Sequence, residues 1–155
     1  MSFYIVALCV GFVAGLRAFV PLAAVAWASA LGVLHVSGTW AGFLASPWTV
    51  GIFSVLTVVE FVTDQLPGTP SRKVLKQFAP RLVSGGFSGA AVGVTGGILV
   101  GGLVGGLIGA VAGTFLGYEF RRGLVRAMGG RDWPVAILED GIAIAIAVLS
   151  LFALG

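Results

Sequence analysis

From Gly85 to Gly117 the chain reads GGFSGAAVGVTGGILVGGLVGGLIGAVAGTFLG, in which a glycine occupies every fourth position. No charged residue occurs from Leu82 to Tyr118. In water, each glycine would weaken a helix by about 0.5–1 kcal/mol relative to alanine. In lipid the backbone must satisfy its own hydrogen bonds, so the segment still forms helix, and the missing side chains let neighbouring helices approach closely. The pattern therefore predicts closely packed membrane helices.

This glycine-rich segment is too long for one membrane-spanning helix. The 39 residues from Leu82 to Phe120 would extend about 58 Å as a helix, whereas the hydrocarbon core is about 30 Å thick. We therefore predict a helical hairpin of segments 82–98 and 102–125, with a turn between Thr95 and Gly102, where paired glycines allow positive φ. The predicted helix-packing positions are Gly85, Gly89, Gly93, Gly105, Gly109 and Gly113.

Composition places the whole chain in a membrane. Of its 155 residues, 58% are hydrophobic and 10% are charged, and the mean hydropathy is +1.08. These values lie outside the range of soluble domains, and the uncharged runs exceed the roughly 18 residues that mark a spanning helix. The sequence predicts one all-α integral membrane domain over residues 1–155, a bundle of about 4–5 transmembrane helices.

The other apolar stretches are 3–36, 48–66 and 133–154. The first of them has Gly15, Arg17 and Pro21 in its middle, and it is too long for one upright helix but short for two full spans. One solution is a strongly tilted, kinked helix. The other, which we favour, is a broken or re-entrant element whose two halves meet near Arg17, where protein or water must surround the non-helical backbone.

Two residue types limit the chemistry of the chain. Cys9 and His35 are its single cysteine and single histidine, which excludes an internal disulfide and a Cys/His zinc site. The sequence also has no recognisable nucleophile–base motif, phosphate-binding loop or metal-ligand cluster. We therefore predict no metal, no cofactor and no enzymatic activity.

Basic residues concentrate in two loops, 67–81 and 119–132. The positive-inside rule places both loops on the cytoplasmic side, and the glycine hairpin supplies the two crossings between them. Membrane topology accounts for these charges, so no nucleic-acid partner is predicted. In a lipid-binding alternative, anionic headgroups contact Arg72, Lys73, Lys76, Arg121 and Arg122.

Charged residues within the apolar segments are the candidates for function. They are Arg17, Glu60, Asp64, Glu139 and Asp140. Each costs about 2.5–3.5 kcal/mol at a helix centre, so such groups face the bundle interior and mark a pathway or an internal ion pair. On segment 48–66, a polar stripe formed by Ser54, Thr57, Glu60 and Asp64 should face protein or water.

The depths of these charges can be compared. Glu60 and Glu139 each lie six residues inside the cytoplasmic end of their segments, which is about 9 Å. The tip of a first segment that re-enters from outside would bring Arg17 to a similar level. We therefore expect the Arg17 cation to be shared among two or more carboxylates, with Glu60 and Glu139 at its level, and Asp64 and Asp140 to lie close enough to the interface to be hydrated. Two interpretations stay open for this cluster: a proton or cation pathway, and a structural staple between helices.

Four short motifs occur in a fixed order: GLRAFVPL at Gly15–Leu22, SPW at Ser46–Trp48, E-x-x-x-D-x-x-P from Glu60 to Pro67, and LEDGIAIAIAVLSL at Leu138–Leu151. Their order and spacing resemble a bacterial membrane family known as domain of unknown function 4126. The long glycine ladder departs from that family's pattern. The resemblance covers most of the chain and implies an intact domain of the bacterial cytoplasmic membrane, with no assigned activity.

The leading functional hypothesis is an oligomeric channel or transporter for an ion or small solute, in which Arg17, Glu60 and Glu139 line or gate the path. A chain of 15.8 kDa has little room for a wide internal pathway, and small residues at every fourth position favour self-association. A homo-oligomer is therefore expected. The alternatives are a non-transporting scaffold protein and a lipid-binding protein.

Overall fold

The computed structural model describes residues 2–66 and 74–155. Within them the chain forms six α-helices and one short 3₁₀ helix, Trp40–Ala45, and no described residue lies in a strand. The α-helices are α1 (Phe3–Leu16), α2 (Val20–Ala30), α3 (Pro47–Thr63), α4 (Leu75–Thr95), α5 (Leu99–Ala127) and α6 (Trp133–Phe152). The all-α prediction is confirmed.

The first apolar stretch is broken into α1 and α2. Arg17 ends α1 in an extended conformation, and Pro21 lies in the first turn of α2, where its missing N–H has no cost. α1 has 14 residues and is about 21 Å long, shorter than a hydrocarbon core of about 30 Å. α1 runs antiparallel to α4 and α2 runs parallel to it, so the two helices form a hairpin with its tip at residues 17–19. The broken form is confirmed, and a single kinked helix is wrong.

The glycine-rich segment forms the predicted hairpin of α4 and α5. Its turn lies at residues 96–98, inside the predicted range, and Gly97 takes a φ of 71°, which favours glycine. Both helices are longer than the segments 82–98 and 102–125 that we predicted. α4 begins at Leu75, so that Arg81 belongs to a helix instead of the basic loop 67–81. Residues 67–73, including Arg72 and Lys73, lie outside the described part of the chain.

The glycines let three helices pack almost backbone to backbone. Gly85, Gly89 and Gly93 of α4 face Gly102 and Gly106 of α5. A Cβ atom added at Gly93 would lie 2.7 Å from the Ile98 carbonyl oxygen, a distance that real Cβ atoms do not adopt. This glycine face of α4 therefore packs against α5 of the same chain.

The second half of the ladder packs on a different helix. Gly109 and Gly113 of α5 face α1, where an added Cβ atom would meet the backbone around Phe12. Gly105 is less constrained, since its added Cβ atom would lie 3.5 Å from the Ala7 side chain, an ordinary contact distance. At five of the six predicted positions an added Cβ atom would overlap a neighbouring helix, and at Gly105 it would make only an ordinary contact with α1. The glycine surfaces that were expected to mediate oligomerisation are occupied within one chain.

The remaining helices flank α2. The aromatic and aliphatic side chains of α3 form an exposed stripe on its outer face: Trp48, Ile52, Val55, Val59 and Val62. The predicted polar stripe of α3 faces the protein, since Ser54 accepts a hydrogen bond from the Trp27 indole of α2 at 3.1 Å, and Glu60 is buried. By length and composition, two of the described helices, α5 and α6, could cross a membrane, and α1, α2 and α3 are shorter apolar helices.

The helix directions place the charged residues at one end of the bundle. The tip of the α1–α2 hairpin, the end of α3, the start of α4 and the start of α6 meet at that end, through contacts of Arg17, Glu60, Arg81 and Asp140. At the opposite end Phe3 packs against the α4–α5 turn at Gly96. The described basic residues of both loops therefore lie toward the same end as the hairpin tip.

Candidate functional site

Arg17 is fully buried at the tip of the α1–α2 hairpin. Its guanidinium donates hydrogen bonds to Asp64 at the end of α3 and, from Nε at 2.6 Å, to Oδ1 of Asp140 on α6. It also lies over the Phe61 ring, 5.7 Å from the ring centre, within the range of cation–π attraction. One cation therefore ties the hairpin tip to two carboxylates on two different helices.

Glu60 binds the backbone at the start of α2. Its carboxylate accepts the Ala18 N–H at 2.7 Å and the Phe19 N–H at 2.9 Å. The first N–H groups of a helix have no partner inside the helix, and the helix dipole places partial positive charge there. Glu60 therefore caps the start of α2 from a neighbouring helix, by accepting the N–H groups of the N-cap residue Phe19 and of Ala18 just before it.

Arg81 provides the matching interaction at the end of α1. Its Nη1 donates to the carbonyl oxygens of Gly15 at 2.8 Å and Leu16 at 2.6 Å. The last carbonyls of a helix lack intrahelical partners and carry partial negative charge. The buried guanidinium supplies the missing hydrogen-bond donors and a positive charge beside them. The Ser84 hydroxyl, also on α4, donates to the Ala18 carbonyl in the segment between α1 and α2.

Sequence reasoning missed Arg81 and Ser84 as parts of this site. Arg81 was assigned to a cytoplasmic loop because it follows Pro80, yet α4 continues through that proline. A signal was present, because Arg81 lies four residues before Gly85 and thus one step earlier on the same helix face as the glycine ladder. That face is the one that approaches α1 and α5.

Arg17 is shared by two carboxylates, those of Asp64 and Asp140, on the two helices expected. The carboxylates considered nearest in depth were Glu60 and Glu139, and both aspartates are partly exposed. Neighbouring residues on a helix diverge by about 100°, so Glu139 and Asp140 point to different sides of α6. Depth along the helices predicts which elements meet and does not predict which carboxylate turns toward the arginine.

Glu139 is buried on another side of α6. Arg121 of α5 approaches its carboxylate at 3.4 Å and also binds Asp132 through two hydrogen bonds of 2.6 and 2.9 Å. Arg121 was predicted to contact lipid headgroups, but its side chain joins α5 to α6. Asp132 occupies the N-cap position of α6, but its side chain makes no cap hydrogen bond and its carboxylate binds Arg121.

The two aspartates of the cluster lie partly at the surface. The Asp64 and Asp140 side chains are 12% and 11% exposed, whereas the Arg17 side chain is 0% exposed. Toward the opposite end of the bundle, the space between α1, α2 and α4 is filled by apolar residues, among them Val10, Val25 and Val92. In the described part of the chain the charged cluster is therefore exposed at the aspartates and bordered by apolar packing toward that opposite end.

A family model described as Domain of unknown function (DUF4126) matches residues 4–153 of the chain. The chain belongs to this family. The match extends from α1 to α6, so the complete charged cluster of this DUF4126 protein lies within it. No curated protein and no solved structure gives a significant match to the chain. Family membership confirms the resemblance seen in the sequence motifs and assigns no activity.

Proposed function

We propose that the protein is embedded in the bacterial cytoplasmic membrane, with α3 to α6 spanning it and the α1–α2 hairpin entering and returning on one side. In the most apolar parts of α5 and α6, only 33% and 44% of residues are buried. A core helix of a soluble protein would be mostly buried, so these exposed apolar surfaces suit lipid. The end that carries Lys76, Arg121 and Arg122 is the cytoplasmic end, following the positive-inside rule.

We propose that this protein is a channel or transporter for protons or small cations. One observation carries the proposal: a fully buried arginine at a helix break is shared by two carboxylates that remain partly open to solvent. Buried ionisable residues in membrane segments mark proton and ion pathways, and transporters use broken helices whose ends meet at the binding site.

The geometry gives each group a role in this proposal. Asp64 and Asp140 are the first carboxylates that an incoming proton or cation meets, and both bind Arg17. Neutralising either aspartate removes one of the two partners of Arg17, which weakens the hold of α3 or α6 on the hairpin tip. Glu60 lies one helical turn deeper than Asp64 on the same face of α3. Movement of the tip would then expose Glu60, the next acceptor.

A homo-oligomer remains part of the proposal, but its interface must differ from the one expected. The glycine surfaces are filled by intramolecular contacts, so copies of the chain would meet through the apolar outer faces, such as the exposed stripe of α3. The oligomeric state in mild detergent, measured by light scattering, tests this part separately from ion movement.

The experiment is ion flux in proteoliposomes. Vesicles containing the purified protein are loaded with a dye sensitive to the ion under test and given a proton, Na⁺ or K⁺ gradient in turn. We expect flux above protein-free vesicles for at least one ion, and we expect Asp64→Asn to reduce it. The exposed Arg122→Gln substitution is the control that should leave it unchanged. Background flux for all three ions would refute the proposal.

A scaffold role is the second candidate, and one observation favours it. Glu60, Arg81 and Ser84 all bind backbone groups of the helix break, which is what a purely structural staple would do. Under this hypothesis the wild-type protein carries no flux, and substitutions in the cluster change only stability or assembly with a partner protein.

A further inference from the structure

An apolar groove of about 540 Å³ opens on the outer surface between α2 and α4. Its walls include Phe19, Leu22, Phe53, Pro80, Val83 and Phe87. The volume lies within the range of small-molecule sites, roughly 300–1,000 Å³. The groove adjoins the helix break, where Ala18, Phe19 and Ser84 border it, and none of the charged residues of the cluster lines it.

The two ends of the groove differ in chemistry. Lys76, Pro80, Val83 and Phe87 are spaced four, three and four residues apart, so they share one face of α4. Lys76 is exposed and lies one turn beyond Pro80, at the cytoplasmic end. At the other end Phe43 packs against Phe87, with ring centres 6.1 Å apart, and closes the groove.

The length of this face matches half of a bilayer. From Lys76 to Phe87 the helix rises about 16 Å, whereas one leaflet of a hydrocarbon core of about 30 Å is about 15 Å deep. The middle of the groove presents apolar side chains, and the Ser84 hydroxyl that borders it already donates to the Ala18 carbonyl. The occupant therefore needs no hydrogen-bonding groups along its length and a negative charge at one end.

We infer that this groove binds one acyl chain of an anionic phospholipid, with the headgroup phosphate at Lys76. The chain lies along Pro80 and Val83 and ends against the rings of Phe43 and Phe87. The lysine stem covers apolar surface while its ammonium group meets the phosphate, as lysines at membrane interfaces do. The inference rests on the proposed membrane embedding, and it is independent of ion movement.

The test uses photoactivatable lipids. Phosphatidylglycerol with a diazirine near the end of one acyl chain is mixed into phosphatidylcholine vesicles that contain the full-length protein, and the labelled peptides are identified by mass spectrometry. Val83→Trp fills the groove. Val100→Trp is its matched control, because Val100 is exposed on α5 to a similar degree, 69% against 71%, and lies outside the groove.

We expect labelling to concentrate on the peptides that contain Phe43, Phe53 and Phe87, to fall severalfold in Val83→Trp and to persist in Val100→Trp. Lys76→Gln, an exposed substitution that leaves the fold intact, should lower labelling by phosphatidylglycerol more than labelling by a phosphatidylcholine probe. Arg122→Gln should leave this preference unchanged.

Three results would overturn the inference. One is labelling spread evenly over the outer faces of α4 and α5. Another is groove labelling that neither Val83→Trp nor Lys76→Gln alters. The third is a bifunctional crosslinker, added to the same vesicles, that joins Lys76 to a second copy of the chain, which would make the groove an oligomer interface. Ion flux and vesicle flotation measured on the same samples separate a failure of this site from a failure of the proposed function.

Discussion

Replacing Glu60 tests how the helix break is held together. Its carboxylate accepts two backbone N–H groups, from Ala18 and Phe19, at 2.7 and 2.9 Å. Hydrogen bonds to a charged group contribute about 1.5–3 kcal/mol each, so Glu60→Ala should lower the free energy of unfolding by about 3–6 kcal/mol. Glu60→Gln keeps one acceptor oxygen but turns an NH₂ group toward an N–H donor, and should cost about 2–4 kcal/mol.

Two measurements report on this prediction. The free energy of unfolding is obtained from denaturing-detergent titrations in mixed micelles, with the exposed Arg122→Gln substitution as the control, expected within about 0.5 kcal/mol of wild type. Hydrogen exchange of the peptide that contains Ala18 and Phe19 reports on the break itself, and should speed up in both Glu60 variants because their N–H groups lose an acceptor.

The outcome that would refute the reasoning is specific. If Glu60→Gln unfolds with the wild-type free energy and the amides of Ala18 and Phe19 exchange at the wild-type rate, Glu60 does not cap α2. Destabilisation without faster local exchange would show that Glu60 contributes elsewhere in the bundle.

Three further predictions concern the packing and the other charges. Gly106→Ala should lower the free energy of unfolding by at least about 1–3 kcal/mol, because its Cβ atom would overlap the α4 backbone. The control Gly51→Ala places its Cβ atom in open space and should be neutral or stabilising in the same detergent titration. Arg81→Met should cost about 2–4 kcal/mol in that assay, since two buried carbonyls of α1 lose their donor; an unchanged value would show that they find another donor. Arg17→Met should destabilise the protein less than the Asp64→Asn, Asp140→Asn double variant. The aspartates can hydrate when Arg17 is lost, but the buried guanidinium cannot hydrate when they are lost, and a charge left without its buried partner costs about 3–5 kcal/mol. The reverse order in thermal unfolding would contradict the burial of Arg17.

The glycine ladder and the break at Arg17 could be predicted because each follows from local rules. A fourfold glycine repeat that is too long for one span requires a turn, and the paired glycines Gly96 and Gly97 mark its place. An arginine beside glycine and proline in an apolar stretch likewise marks a break. These features depend on chain length and residue type, which the sequence contains.

The partners of the charges could not be predicted in the same way. Whether Glu139 or Asp140 faces Arg17 depends on the rotation of α6 about its axis, and a difference of one residue turns a side chain by about 100°. The role of Arg81 depends on where α4 begins, and α4 begins at Leu75 and continues through Pro80, so a proline that usually marks a helix boundary does not mark one here.

The use of the glycines could not be predicted from their spacing either. A ridge of small residues fits a helix of the same chain as well as a helix of another copy. In this fold α1 and α5 fill the surfaces on which self-association was expected, as the contacts of Gly11 with Gly106 and of Gly89 with Gly102 show. The spacing predicts close packing, but it does not predict which helix is the partner.

The most direct test of the central claim compares the wild-type protein with a variant that lacks the charges of the Arg17 cluster. In Arg17→Met, Asp64→Asn, Asp140→Asn, no charge is left without a partner, and replacing a complete buried ion-pair network with neutral groups preserves folding in known cases. The measurement is dye-reported flux of the transported ion, proton or cation, into proteoliposomes with matched protein content and verified folding. The account predicts flux in the wild type and background flux in the triple variant, and equal flux in the two proteins would contradict it.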